Sequence, residues 1–178
     1  LYFHQEIPTR KCCLNYFRVT DSNVLHSLFT RKGEYRTFGE SDIDESAVRS
    51  RTDTGRLAKI YQLSRRRTPL IYFLRDTMWR LGKWNTQALR EWAQAFDPDV
   101  IFLAAGDYAF PYHIAIYLSD FLHVPIVMWC ADDFYIEPLK NGSFLRRIQC
   151  RKLVDLARRA VQQAGTIVTI SDMMQKDY

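Results

Sequence analysis

The strongest constraint on the fold is a relay of three short apolar runs in the second half of the chain. They are Val100-Ile101-Phe102-Leu103-Ala104-Ala105, then Val124-Pro125-Ile126-Val127-Met128-Trp129-Cys130-Ala131, then Thr166-Ile167-Val168-Thr169-Ile170. Each is too short for a helix, is rich in β-branched residues and lacks polar alternation. That is the pattern of strands buried on both faces of a parallel sheet. Each run also ends in a polar pair: Gly106-Asp107, Asp132-Asp133 and Ser171-Asp172. The carboxyl ends of strands line the ligand crevice of open parallel sheets, so one pattern points to a fold and a site together.

Helical segments separate these runs. Pro111 is tolerated in the first turn of a helix over 109–122, with Ile114, Leu118, Phe121 and Leu122 as its buried stripe. Asn141-Gly142 marks a turn, Ser143 is an N-cap, and a helix runs to Ala164 with Leu145, Ile148, Leu153, Leu156, Ala157, Ala160, Val161 and Ala164 on its apolar face, closed by Gly165. Upstream, a helix begins at Thr68-Pro69 with Leu70, Phe73, Leu74, Thr77, Met78 and Leu81 at helical spacing. Another carries Leu89, Trp92, Ala93 and Phe96 and stops at Asp97-Pro98. The first third is less regular. Leu1–His4 and Leu14–Val19 read as strands, and Asp21-Ser22 starts a helix that buries Val24, Leu25, Leu28 and Phe29 and ends at Gly33. The polar stretch 34–55 reads as a loop or lid, with 34–67 as a lid-and-linker region. The strand–helix alternation makes the whole a doubly wound α/β domain.

With 178 residues and 47% apolar content the chain can build one domain with a substantial core. No run is long and apolar enough to span a bilayer, and no signal peptide is visible at the start. The opening Leu1-Tyr2-Phe3 and the end at Tyr178, soon after a strand, read as cut ends. Cys12, Cys13, Cys130 and Cys150 lack the spacing of a zinc or redox site and read as reduced thiols of an intracellular protein. His4, His26, His113 and His123 show no helical ligand spacing with a supporting acid, so no metal site is expected. Glycine-rich phosphate loops and a nucleophile elbow are absent as well. The formal net charge is +5, concentrated at Arg65-Arg66-Arg67 and along Arg146, Arg147, Arg151, Lys152, Arg158 and Arg159. Such clusters suit anionic partners, or form a solvated helix face.

The segments Phe96-Asp97-Pro98-Asp99-Val100-Ile101-Phe102, Val124-Pro125-Ile126-Val127 and Thr166-Ile167-Val168-Thr169-Ile170-Ser171-Asp172, with their intervening helices, resemble the N-terminal domain of GT-B glycosyltransferases of the retaining, family-4-like group. The likeness covers residues 97–178 and, more weakly, 1–30, where Asn15-Tyr16-Phe17-Arg18-Val19-Thr20-Asp21 is similar to an early strand of some members. It implies a Rossmann-like parallel sheet forming the acceptor-side half of a GT-B architecture, without its first strand and without the C-terminal domain that binds the nucleotide-sugar. The implied activity is sugar transfer from a nucleotide-sugar to a sugar, lipid-linked or protein acceptor, with this piece inactive alone and no further cofactor. A GT-B-type nucleotide-sugar epimerase and a non-catalytic α/β binding module are the other readings. The expected location is the cytoplasm, at the inner face of the membrane; the basic cluster, through Arg146, Arg147 and Arg151, is the expected contact with anionic lipid, and nucleic acid is not an expected partner.

Within that frame Asp132 and Asp133 are the expected catalytic acids, placed to orient an acceptor hydroxyl or to stabilise charge developing at the sugar. One of them stands where many relatives carry a cleft His, and Asp133 can equally cap a turn. Gly106 permits close ligand approach, and Asp107 either contacts ligand or caps the next helix. His113, Trp129 and Ser171 complete the expected substrate contacts. Trp129 can also be a core residue, and Ser171 an N-cap. Trp79, Trp84 and Trp92 are expected in the core.

Overall fold

The structure, a computed structural model, describes residues 1–3, 13–43, 68–131 and 143–170. Among these residues the chain is mixed α/β, with five α-helices, a three-stranded parallel sheet and a separate two-stranded antiparallel one. This arrangement is consistent with a Rossmann-like α/β fold.

The parallel sheet is built from β3 (Ile101–Ala104), β4 (Ile126–Cys130) and β5 (Ala164–Thr169), in that spatial order. Ile101 pairs with Ile126, Leu103 with Met128, and Cys130 with Thr169. The helix α4 (Ala109–Leu122) connects β3 to β4, and α5 (Phe144–Gln162) precedes β5. The end of α4 is set locally: His123 takes a left-handed conformation with φ 58°, and the Ser119 hydroxyl donates to the Val124 carbonyl at 2.7 Å. This delivers the chain straight into β4. The Ser143 hydroxyl caps α5 by accepting from the Arg146 amide at 3.4 Å, as its sequence position suggests. At the other end Gln163, not Gly165, closes the helix, and Ala164 and Gly165 already belong to β5.

Both crossover helices pack on one face of this sheet. Leu103, Ile126, Met128 and Cys130 are buried against Tyr112, Ala115 and Ile116 of α4 and Leu153, Leu156, Ala157 and Ala160 of α5. The opposite pleat carries Phe102, Trp129 and Val168, and there Phe102 is 64% exposed and Trp129 38%. This corrects the expectation of strands buried on both faces. The runs are continuously apolar, but among the described residues only one face is covered. A hydrophobic run records the chemistry of both faces and not whether each has a neighbour.

The first part of the chain packs around α4. Strand β1 (Asn15–Arg18) pairs antiparallel with β2 (Arg36–Gly39), and Tyr2 bridges to Arg18. The early segment therefore forms its own small sheet and does not extend the parallel one. It also corrects the loop expected over 34–55 at its start; residues 44–55 lie outside the described residues. Helix α1 (Asp21–Thr30) has Thr20 as its N-cap in a capping box with Asn23. It buries Val24 and Ser27 and leaves Phe29 exposed, so Leu28 and Phe29 are not its core stripe. Arg31, with φ 56°, ends it. Gly33 serves close approach instead: a Cβ there would lie 2.2 Å from the Thr86 side chain and 2.7 Å from the Lys83 carbonyl.

Helix α2 (Pro69–Leu81) turns the opposite way from the expected stripe. Tyr72 and Trp79 are buried, while Leu70, Leu74 and Leu81 are more than half exposed. The reason is polar as well as apolar. The Trp79 indole and the Arg75 guanidinium donate to the same Asp21 oxygen at 2.7 and 3.0 Å, and Trp79 stacks on Phe110 at 4.3 Å. Helix α3 (Gln87–Phe96) is capped by Thr86 and closed by Asp97 with φ 47°, immediately before Pro98. Trp84 and Trp92 join the partly buried shell of this second core.

The two faces of the sheet predict unequal mutational costs. Met128→Ala, at a fully buried site, should lower stability by about 2–5 kcal/mol. Phe102→Ala on the open pleat should cost less than about 1 kcal/mol. Urea-unfolding midpoints check both.

Candidate functional site

Among the described residues, several polar side chains gather at the carboxyl end of β3. The strand hydrogen bonding continues one residue past β3, where the Ala105 amide donates to the Trp129 carbonyl at 2.8 Å. The chain then turns through Gly106 and Asp107 into α4. Fully buried Tyr112 holds the turn: its hydroxyl accepts from the Gly106 amide and donates to the Gly106 carbonyl, both at 3.1 Å. Gly106 does not have a positive φ, and a Cβ added to it would meet nothing within 4 Å. The backbone does not demand a glycine here, and the space in front of it is open.

Asp107 faces α2 and accepts the Tyr72 hydroxyl hydrogen. It is not the cap of α4. That position belongs to Tyr108, which makes no side-chain cap, and the Ala109 amide donates instead to Asp76 on α2 at 3.3 Å. The Asp76 carboxylate thus meets the first turn of α4 from another element, where a helix N-terminus favours negative charge. Burial outweighs that help for Asp76 and pushes its carboxyl up to about 6, against the pull of the Ala109 amide, Arg75 and Lys152. Burial, followed by the hydrogen bond and charge of Asp107, raises Tyr72 so that it stays a phenol.

The third side of the cluster comes from α5. The Arg146 guanidinium lies 4.8 Å over the Tyr72 ring and donates to Gln149 Oε1 at 3.1 Å. Gln149 is only 4% exposed, yet among the described residues its Nε2 has no hydrogen-bond partner. The amide orientation is assigned by the Arg146 bond, which requires an oxygen on that side. A buried donor left unmet costs about 1–3 kcal/mol, and such an exception calls for an explanation such as a ligand or an ordered water.

The expected site residues therefore separate. Gly106 and Asp107 lie together at the strand end. Trp129 lies on the open pleat of the sheet, beside Phe102 at 6.5 Å between ring centroids, and is neither core nor part of this cluster. His113 is half-buried on α4; burial lowers its pKa, with Arg159 and Arg80 as its charged neighbours. Asp132, Asp133 and Ser171 lie outside the described residues. Tyr72, Asp76 and Gln149 were not foreseen, and Arg146 was expected only as a cation facing anionic lipid, because helical periodicity marks a helix face and not the partner that face will meet.

A second recess, of about 400 Å³, lies between the β1–β2 sheet and α3, lined by Tyr16, Phe38, Asp42, Trp92 and Phe96 among others. The Asp42 carboxylate there already accepts the Gly39 amide at 2.8 Å, and Asn15 and Thr37 join the aromatic rings in lining the recess.

Compared with protein-family models, with curated proteins and with solved structures, the chain matches none.

Asp76 gives the site a pH signature. Its folded-state pKa is raised from 3.8 to about 6, so its contribution to stability is complete below about pH 4 and is lost as pH rises through about 6. Asp76→Asn, which stays neutral and can still accept from Ala109, should gain on the wild type by about 1 kcal/mol between pH 4 and pH 7, after allowance for solvent screening. Urea midpoints at the two pH values measure this.

Proposed function

We propose that this chain is the acceptor-side half of a GT-B-type glycosyltransferase and that the cluster at the end of β3 is where it holds a sugar. The observation that carries the reading is the unmet amide of Gln149, 4% exposed, beside Arg146, Tyr72 and Asp107. Sugars present adjacent hydroxyls that both donate and accept. Carboxylates at Asp107 and Asp76 offer acceptors, while Arg146 and Gln149 offer donors. The location at the carboxyl end of a parallel strand supports the same reading, as does the open space before Gly106.

On this reading Asp107 orients an acceptor hydroxyl, with Tyr72 fixing its carboxylate. Arg146 and Gln149 donate to neighbouring hydroxyl or phosphate oxygens. Asp132 and Asp133, which follow the second apolar run in the sequence, remain the acids expected to serve the transfer step. The reaction also requires a nucleotide-sugar domain in addition to this one, so binding rather than turnover is the property to measure.

Calorimetric titration with a panel of simple sugars and nucleotide-sugars tests the reading. Asp107→Asn and Gly106→Ala should each weaken binding at least about tenfold, or about 1.4 kcal/mol, with thermal melting of Gly106→Ala unchanged. Absence of binding to every sugar, or binding indifferent to both substitutions, would overturn it.

A further inference from the structure

Helices α2 and α5 lie side by side, with the Lys152 ammonium 5.5 Å over the Phe73 ring. With Tyr72 and Trp79 turned inward, α2 shows Leu70, Leu74 and Leu81 to solvent, spaced i, i+4 and i+11 on one line. The exposed line of α5 repeats that spacing with Arg147, Arg151 and Arg158, and Lys152 and Arg159 flank it. Asp155, in a 3.9 Å contact with Arg158, is the acid of this helix. Phe144, at its start, is 72% exposed. Arg146 is not part of this face, because it is engaged with Tyr72 and Gln149.

We propose that this two-helix face docks on an anionic lipid surface. A row of exposed leucines beside a row of arginines fits the boundary between acyl chains and headgroups, where apolar side chains enter and cations meet lipid phosphates. A nucleic acid would use the arginines but leave the leucines in water. Among the described residues no helix is long and apolar enough to cross a membrane, so the contact is one of lying on the surface.

Co-sedimentation with vesicles of phosphatidylcholine, alone or with about one-third phosphatidylglycerol, tests this, with duplex DNA as a competing polyanion. The anionic vesicles should bind at least about tenfold more tightly than neutral ones, and Arg147→Glu with Arg151→Glu should erase that preference. Leu70→Ser with Leu74→Ser should abolish the part of the binding that survives high salt, while Phe102→Ser on the open sheet face should change nothing. Equal binding to both vesicles, or DNA binding that displaces the protein from vesicles and ignores the leucine changes, would overturn the proposal. So would a loss of binding in Phe102→Ser as large as in the leucine variant. Circular dichroism of each variant separates these outcomes from unfolding.

Discussion

The Tyr112 hydroxyl is the contact on which the site geometry depends. Past Ala105 the chain leaves the strand ladder, and the peptide groups of Gly106 need other partners. Tyr112 supplies both from within the turn that follows. Its ring is at the same time part of the core between α4 and the sheet. Packing and polar satisfaction therefore fix the β3–α4 turn together, and this turn sets Asp107 against Tyr72 and the start of α4 against Asp76.

The helices that complete the cluster are held from outside it. Asp21 receives both Trp79 and Arg75, which rotates α2 so that Tyr72 and Asp76 point at the strand end. A Cβ on Gly82 would lie 2.4 Å from the Val24 side chain, so this glycine permits α1 and α2 to approach that closely. Set on this scaffold, the cluster itself is costly. It contains a half-buried carboxyl raised to about 6 and a buried amide donor that finds no partner among the described residues. Local expense set on a rigid support is the usual physical mark of a binding site.

Much of the second half of the chain was legible in the sequence because its signals are local. Asp97-Pro98, Ser143 and the β-branched runs define their elements without reference to the rest of the fold, and Gly106-Asp107 was readable as a strand end. The α2 face was not. Its sequence carries two apolar lines, Leu70-Leu74-Leu81 and Tyr72-Trp79, and residue counting favours the first. The choice is made by Asp21, 54 residues before Arg75, and no periodicity reports that. The same limit hid Tyr72, Asp76 and Gln149, and the place of Arg146 beside them, whose significance lies wholly in what packs against them. The bare pleat of Phe102 and Trp129 was misread for a related reason, since an apolar face is visible in sequence and its cover is not.

The central claim is that the end of β3 is a sugar-binding site, and a nitrogen-edited NMR titration with a nucleotide-sugar and its parent sugar tests it most directly. The account predicts saturable shifts at the backbone amides of Gly106, Asp107 and Ala109 and at the side-chain amide of Gln149. Shifts confined to the recess at Tyr16, Phe38 and Trp92, or no shifts at saturating sugar, would contradict it.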